Sequence, residues 1–334
     1  REFRVGPSEV DVHFNCILGR GAEGCVVRGT YIPTETDVAV KVVTIREKER
    51  RDQLVNDVSA LLRLCPGHPG VPMAPEIARP AARRNLVQMW GAYSIAASHQ
   101  VHVVLELMDL GSIAKLLTRL TELKVGVPLD VTANMARQMV EGISFLHLNH
   151  QLHRDIKPGN VLVNSDGDVK LTDFGIAKDL GSTQGACDTF VGTPVFMSPE
   201  RLTGDDYSFP VDIWACGLIV LCLAQGVASP YPASVSSSLV RLCRAVARDP
   251  APSLDDVPEM TDEARFFVST TVNKDPNLRP TVLELRSHPF LQTAASTQEF
   301  QGWLLSVLDE GESESEEDPV GPAPLPPPPQ RDLI

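Results

Sequence analysis

Apolar and polar positions divide the chain into a β-patterned start, a helix-patterned middle and a polar end. Between residues 14 and 45, β-branched and apolar residues alternate or cluster (Cys25-Val26-Val27, then Val38-Ala39-Val40-Lys41-Val42-Val43) around Gly- and Thr-rich turns, which predicts an antiparallel hairpin sheet. From about Asp52, Leu54, Val58, Leu61 and Leu62 recur at helical spacing until Pro66-Gly67 ends the pattern, predicting one amphipathic helix in this β-rich part. Residues 66–84 carry five prolines with Arg79, Arg83 and Arg84, the composition of an extended insertion. Two more strands are predicted over 85–93 and 101–107. The period then becomes helical: Val131, Met135, Met139, Ile143 and Leu146 trace one helix face. The longest apolar run, Ile213 to Ala224, is shorter than the roughly 20 residues a bilayer span needs and reads as a buried helix. Ser296-x-x-Glu299 is a capping box opening a last helix, with Phe300, Trp303, Leu304, Val307 and Leu308 on one side. The class is α+β, a small β-rich unit followed by a larger helical one.

Charge changes this picture only at the end of the chain. The net charge is −13, and residues 309–334 hold eight acids and one Arg, more than half of that excess. The remainder is nearly balanced and shows no basic face for nucleic acid or an anionic membrane. Asp309–Asp318 is almost all acid and Ser, and Pro319–Gln330 contains seven prolines, so 309–334 is expected to stay unfolded. Within it, Ser313 and Ser315 each have an acid three residues on, a context for an acid-directed kinase or simply a solvating tail. Pro326–Pro329 suits either a rigid spacer or a polyproline II ligand for an SH3- or WW-type partner.

Seven scattered cysteines without CxxC spacing argue for free thiols in a reducing compartment, hence the cytoplasm, with the nucleus as a second location. The chain starts at Arg1 rather than Met, so a preceding segment is expected. His102, His147 and His150 lack a second ligand at metal spacing and read as packing or surface residues. Cys25 has only Arg20 and Arg28 as cationic neighbours and reads as passive.

Candidate chemistry begins with Gly19-Arg20-Gly21-Ala22-Glu23-Gly24-Cys25-Val26. Missing β-carbons let backbone N–H groups approach phosphate oxygens, although such a hairpin is more often only a turn. It leads into a strand rather than a helix, which disfavours a dinucleotide site. Lys41, on the next strand, would neutralise phosphate charge. His153-Arg154-Asp155-Ile156-Lys157-Pro158-Gly159-Asn160 is followed by Asp173-Phe174-Gly175. Here Asp155 can accept a hydroxyl proton, while Asn160 and Asp173 offer hard oxygens suited to Mg²⁺.

In this order and spacing the segments resemble eukaryotic protein kinases. The resemblance covers residues 14–292 and implies the bilobal kinase fold, with an N-lobe over 14–107 and a C-lobe over 108–292. Residues 1–13 would be an extension, 293–308 a C-terminal helix and 309–334 a tail. It implies ATP and Mg²⁺ as cofactors. Gly19, Gly21 and Gly24 would lie over the nucleotide and Lys41 on its phosphates, with Asp155 as base and Lys157 stabilising the transferred γ-phosphate. Asn160 and Asp173 would hold metal. Leu18, Val26, Ala39 and Leu162 would enclose adenine, the backbone of Glu106 and Met108 would meet its edge, and Leu105 would lie behind. Glu200 should pair with Arg279, and Asp212 should brace the catalytic loop. One position departs from the pattern: the helix residue expected to pair with Lys41 is Asp57 rather than Glu, one methylene short of direct contact.

Thr189-Phe190-Val191-Gly192-Thr193-Pro194 with Met197-Ser198-Pro199-Glu200-Arg201 is similar to the activation segment of mitogen-activated protein kinase kinases, the sterile-7-like group. Thr183 and Thr189 have the paired spacing of its plant-type branch. The resemblance implies activation by an upstream kinase at these two threonines, with Arg154 receiving the phosphate of Thr189. Thr193 would fix the acceptor hydroxyl, and a mitogen-activated protein kinase would be the substrate, phosphorylated on Thr and Tyr. Thr193-Pro194 before an aromatic is also similar to sterile-20-like and kinase-kinase-kinase tiers, so a Ser/Thr kinase of another tier stays open, as does a pseudokinase scaffold.

Overall fold

A computed structural model describes residues 5–21, 24–52, 54–55, 85–123, 125–173 and 194–309. The expected insertion at 66–84 and the acidic and proline-rich tail beyond 309 lie outside them, as do Asp57, Phe174, Gly175, Thr183, Thr189 and Thr193.

The β-patterned start forms a five-stranded antiparallel sheet in the order β1-β2-β3-β5-β4, from β1 (Val10–Gly21), β2 (Gly24–Tyr31), β3 (Thr36–Thr44), β4 (Met89–Ile95) and β5 (Gln100–Glu106). The apolar run on β3 covers both faces because side chains alternate along a strand. Val38, Val40 and Val42 join Val27 and Val104 on one face. Ala39 and Val43 join Val101, Val103 and Leu105 on the other, and Lys41 shares that second face. Register places Lys41 opposite Val26 of β2 and Val103 of β5.

Three boundaries differ from the sequence reading. β1 begins at Val10, inside the segment expected to be an extension, because Val10 is buried beside Val27 and Tyr31. Residues 48–52 and 54–55 are helical, a start earlier than Asp52. There the buried Arg51 Nη1 donates to the carbonyls of Ile45 (2.7 Å) and Arg46 (2.8 Å). Residues 85–88 do not belong to β4: Leu171 N donates to Asn85 O and Val87 N to Leu171 O, each at 2.9 Å. This segment joins the lobes, and a β-carbon at Gly142 would meet Asn85 O at 2.7 Å, so glycine lets it lie against the helix below.

The second lobe contains a small sheet of β6 (Gly111–Ser112), β7 (Val161–Val163) and β8 (Val169–Leu171). Its described helices are α1 (Ile113–Leu123), α2 (Leu129–Leu148), α3 (Pro199–Thr203), α4 (Pro210–Gln225), α5 (Ala233–Ser236), α6 (Leu239–Arg248), α7 (Asp262–Thr271), α8 (Val282–Leu285), α9 (Pro289–Gln292) and α10 (Thr297–Asp309). The predicted α2 stripe is buried along its length. α4 is buried from Val211 to Ala224, as a helix apolar all round must be. Its thiols are free, and burial pushes Cys216 and Cys222 up to about 12. No described helix is long and apolar enough to cross a membrane.

The capping box of α10 is present, with Ser296 N donating to Glu299 Oε2 (2.8 Å) and Glu299 N to Ser296 Oγ (3.2 Å). Phe300, Leu304 and Val307 enter the main core of the second lobe. Asn134 Nδ2 donates to Ala295 O at 2.7 Å, pinning the start of the helix to α2.

Burial lowers the imidazole pKa of His102, His153 and His288 below its ordinary value of 6.5. Below pH 6.5 the unfolded chain therefore binds protons that the native one refuses. Each histidine removes up to about 1.4 kcal/mol of stability per pH unit until its folded pKa is reached. Thermal melts at pH 7.5 and 5.5 should show a lower Tm in acid; a flat profile would contradict these three neutral rings.

Candidate active site

Residues 149–160 leave α2 and run to β7, and a buried carboxylate organises them. Asp212, in the first turn of α4, accepts from His153 N at 2.9 Å on Oδ2 and from Arg154 N at 3.0 Å on Oδ1. His147 Nε2 donates to Oδ2 at 3.0 Å. Burial would raise the Asp212 pKa, but the bonds from His147 and His153 outweigh it and hold the carboxyl below its ordinary range. Sequence reasoning took His147 for a packing or surface residue; it is a buried donor. No periodicity marks it, because its partner lies 65 residues away.

This frame sets the loop's conformation. Arg154 has φ 72°, a left-handed backbone that a β-carbon disfavours. Asp155 N donates to His153 Nδ1 at 3.3 Å, a bond that needs a neutral ring. The Asp155 Oδ2 atom accepts from Lys157 Nζ at 2.7 Å and from Asn160 Nδ2 at 2.8 Å. Asn160 Nδ2 also reaches Asp155 O at 2.8 Å, so its amide nitrogen is committed and its side-chain oxygen is left for a ligand.

Asp173 follows β8, in a left-handed conformation of its own (φ 64°), and its Oδ1 accepts from Lys41 Nζ at 2.8 Å. Strand β3 and the second residue past β8 thus meet across the cleft. The pair is mostly screened from solvent, at 13% and 30% side-chain exposure.

Beside this pair, Leu18, Val26, Ala39, Leu105, Met108 and Leu162 form one apolar cluster with Val43 and Met89. These residues therefore converge, with Met108 and Leu162 contributed from the second lobe. Gly24 has a local task as well. A β-carbon there would meet Val42 O at 2.0 Å, so glycine is required where β2 crosses β3. Lys170 of β8, not singled out from the sequence, grips the Glu106 carboxylate at 2.8 Å.

Below the catalytic loop, Glu200 and Arg279 form a two-pronged pair, Nη1 to Oε1 at 2.6 Å and Nη2 to Oε2 at 2.9 Å. Burial pushes the Glu200 carboxyl up, and the arginine more than reverses it, leaving the pKa lowered.

The residues present fit a magnesium site. Such an ion takes one or two protein oxygens and completes its shell with phosphates and water. The Asn160 side-chain oxygen and the Asp173 carboxylate match that donor set. No group of three or more His, Cys, Asp or Glu suited to a metal occurs among the described residues.

The protein kinase domain family model matches residues 12–291. Mitogen-activated protein kinase kinase 3 of Arabidopsis thaliana is 35% identical over 275 residues, 82% of this chain and 48% of its own length. Mitogen-activated protein kinase kinase 5 of Leishmania mexicana is 36% identical over 280 residues, with the same coverages. Serine/threonine-protein kinase 1 of Arabidopsis thaliana is 31% identical over 275 residues, 82% of this chain and 30% of the relative. The chain thus spans less than half the length of these curated relatives.

Proposed function

The chain belongs to the protein kinase domain family, and from that premise we propose that it transfers the γ-phosphate of ATP to protein hydroxyls as a mitogen-activated protein kinase kinase. The observation that carries the kinase reading is the meeting of Lys41 with Asp173 at 2.8 Å beside a catalytic loop in which Asp155 is held by Lys157 and Asn160.

In this reading ATP enters under the stems of β1 and β2, with Gly19, Gly21 and Gly24 bringing backbone N–H groups to its phosphates. Glu106 N is committed to Gln88 O and Met108 O to Gly111 N, which leaves the Glu106 carbonyl and the Met108 N–H for the adenine edge. Lys41 neutralises phosphate charge. Asn160 and Asp173 would hold Mg²⁺, which when bound would spread the negative charge of the phosphates. Both described bonds to the Asp155 carboxylate fall on Oδ2, so Oδ1 is the atom that accepts the acceptor's hydroxyl proton. Lys157 then faces the charge that builds on the transferred group.

The tier rests on similarity to relatives named mitogen-activated protein kinase kinases. The substrate is a folded mitogen-activated protein kinase, phosphorylated on Thr and Tyr, with Thr193 fixing the acceptor hydroxyl. An upstream kinase phosphorylates Thr183 and Thr189. Arg154 Nε is buried without a hydrogen-bond partner among the described residues, which supports its role as the seat of the Thr189 phosphate. Asp57 assists Lys41, directly or through a water. The protein works in the cytoplasm, with the nucleus as a second location, and Pro326–Pro329 serves either as a rigid spacer or as a ligand for an SH3- or WW-type partner. A Ser/Thr kinase of another tier is the second reading, supported by the relative named serine/threonine-protein kinase 1.

Radiolabelled ATP and a panel of folded mitogen-activated protein kinases test the tier. The form carrying Thr183→Glu and Thr189→Glu is expected to label at least one folded kinase at least about tenfold faster than its denatured counterpart. Equal labelling of both, or labelling of generic Ser/Thr peptides alone, would favour the second reading.

A further inference from the structure

We infer that Arg201 is a positioning residue for Asp155, fixing the peptide plane between Arg154 and Asp155 from its carbonyl side. The role of Asp155 as base rests on the kinase reading; the clamp itself does not.

Three bonds hold that peptide's surroundings. Asp212 Oδ1 accepts from Arg154 N at 3.0 Å, and Asp155 N donates to His153 Nδ1 at a longer 3.3 Å. The Arg154 carbonyl accepts from Arg201 Nη1. With Arg154 in a left-handed conformation, a neighbouring peptide can rotate toward an ordinary extended geometry unless something opposes it. Asp212 secures only the peptide before Arg154. The plane that aims the Asp155 Cα–Cβ bond is secured by a long bond to His153 and by Arg201.

Arg201 is built to bear that task. It follows Glu200, whose carboxylate is locked on Arg279, so the start of α3 is a fixed platform. The Arg201 guanidinium also lies over the Tyr207 ring, 5.5 Å from its centre, a cation–π seat. A planar fork can bond forward and stack at once, which an ammonium does less well. The end of the activation segment is thereby tied to the catalytic base through one side chain.

Hydrogen–deuterium exchange and steady-state kinetics on the same full chain test this. For Arg201→Met, exchange over residues 153–156 should quicken while the helices of the second lobe keep their protection. Turnover should fall about 10- to 100-fold with the KM for ATP changed less than about twofold, since a displacement near 1 Å costs that order in rate. Arg201→Lys keeps a donor for the Arg154 carbonyl and should recover most of the loss. Tyr207→Ala, which removes only the seat, should fall between. Loop exchange like that of the parent in Arg201→Met would overturn the inference, and so would a uniform rise in exchange across the lobe, which marks general destabilisation. If the parent itself transfers no phosphate but the loop exchange follows the expected pattern, the clamp stands and the kinase reading falls.

Discussion

Asp155→Asn is expected to lower phosphoryl transfer by about 10²- to 10⁴-fold, the usual worth of a positioned general base. The amide cannot take up the hydroxyl proton. It also disturbs its own support, because Lys157 and Asn160 both donate to Oδ2. An amide nitrogen placed there would set donor against donor, and an amide oxygen there would turn the nitrogen to the substrate. Nucleotide affinity should change little, because Asp155 lies outside the apolar cluster of Leu18, Val26, Ala39 and Leu162. Initial rates and a nucleotide titration on the same preparation separate the two effects. A variant that kept more than about a tenth of the parent rate would remove Asp155 from the role of base.

The largest stability effect is expected at Glu200. The Arg279 side chain is wholly buried, and its remaining bonds go to neutral carbonyls, Asn273 O at 2.7 Å, Pro210 O at 3.0 Å and Lys274 O at 3.4 Å. The guanidinium also lies 5.0 Å from the centre of the Trp214 ring. Glu200→Ala would leave that cation without a counter-charge, at a cost of about 3–5 kcal/mol. Urea denaturation should show the loss as a lower midpoint with the slope retained. Replacing both partners, Glu200→Leu with Arg279→Met, should cost less than the sum of the single changes, because neither variant partner then remains charged and buried. A Glu200→Ala loss below about 1 kcal/mol would mean that solvent or another group reaches the arginine.

Elements governed by local pattern were legible in the sequence. The α2 stripe, the all-apolar α4, the capping box of α10 and the strands through Lys41 follow from period, length and caps, and the structure contains each. The candidate site residues were named through motif resemblance; that they meet was not legible. Lys41 and Asp173 are 132 residues apart, and no periodicity encodes that distance. The segment 85–88 has the composition of a strand, but the backbone bonds of Asn85 and Val87 go to Leu171 of β8, with Asn85 packed on Gly142. The contacts of His147, Lys170 and Arg201 were not legible for the same reason: each acts on a partner from another element. Asp57, Thr183, Thr189 and Thr193 fall outside the described residues.

The capping box and buried side chains of α10 separate the edge of the family from the edge of the folding unit. The family model stops at residue 291, yet Phe300, Leu304 and Val307 complete the core of the second lobe. A fragment cut at the family boundary would therefore open a greasy trench along α2 and invite aggregation. For anyone expressing this folded unit in isolation, the sensible stop codon comes after residue 309.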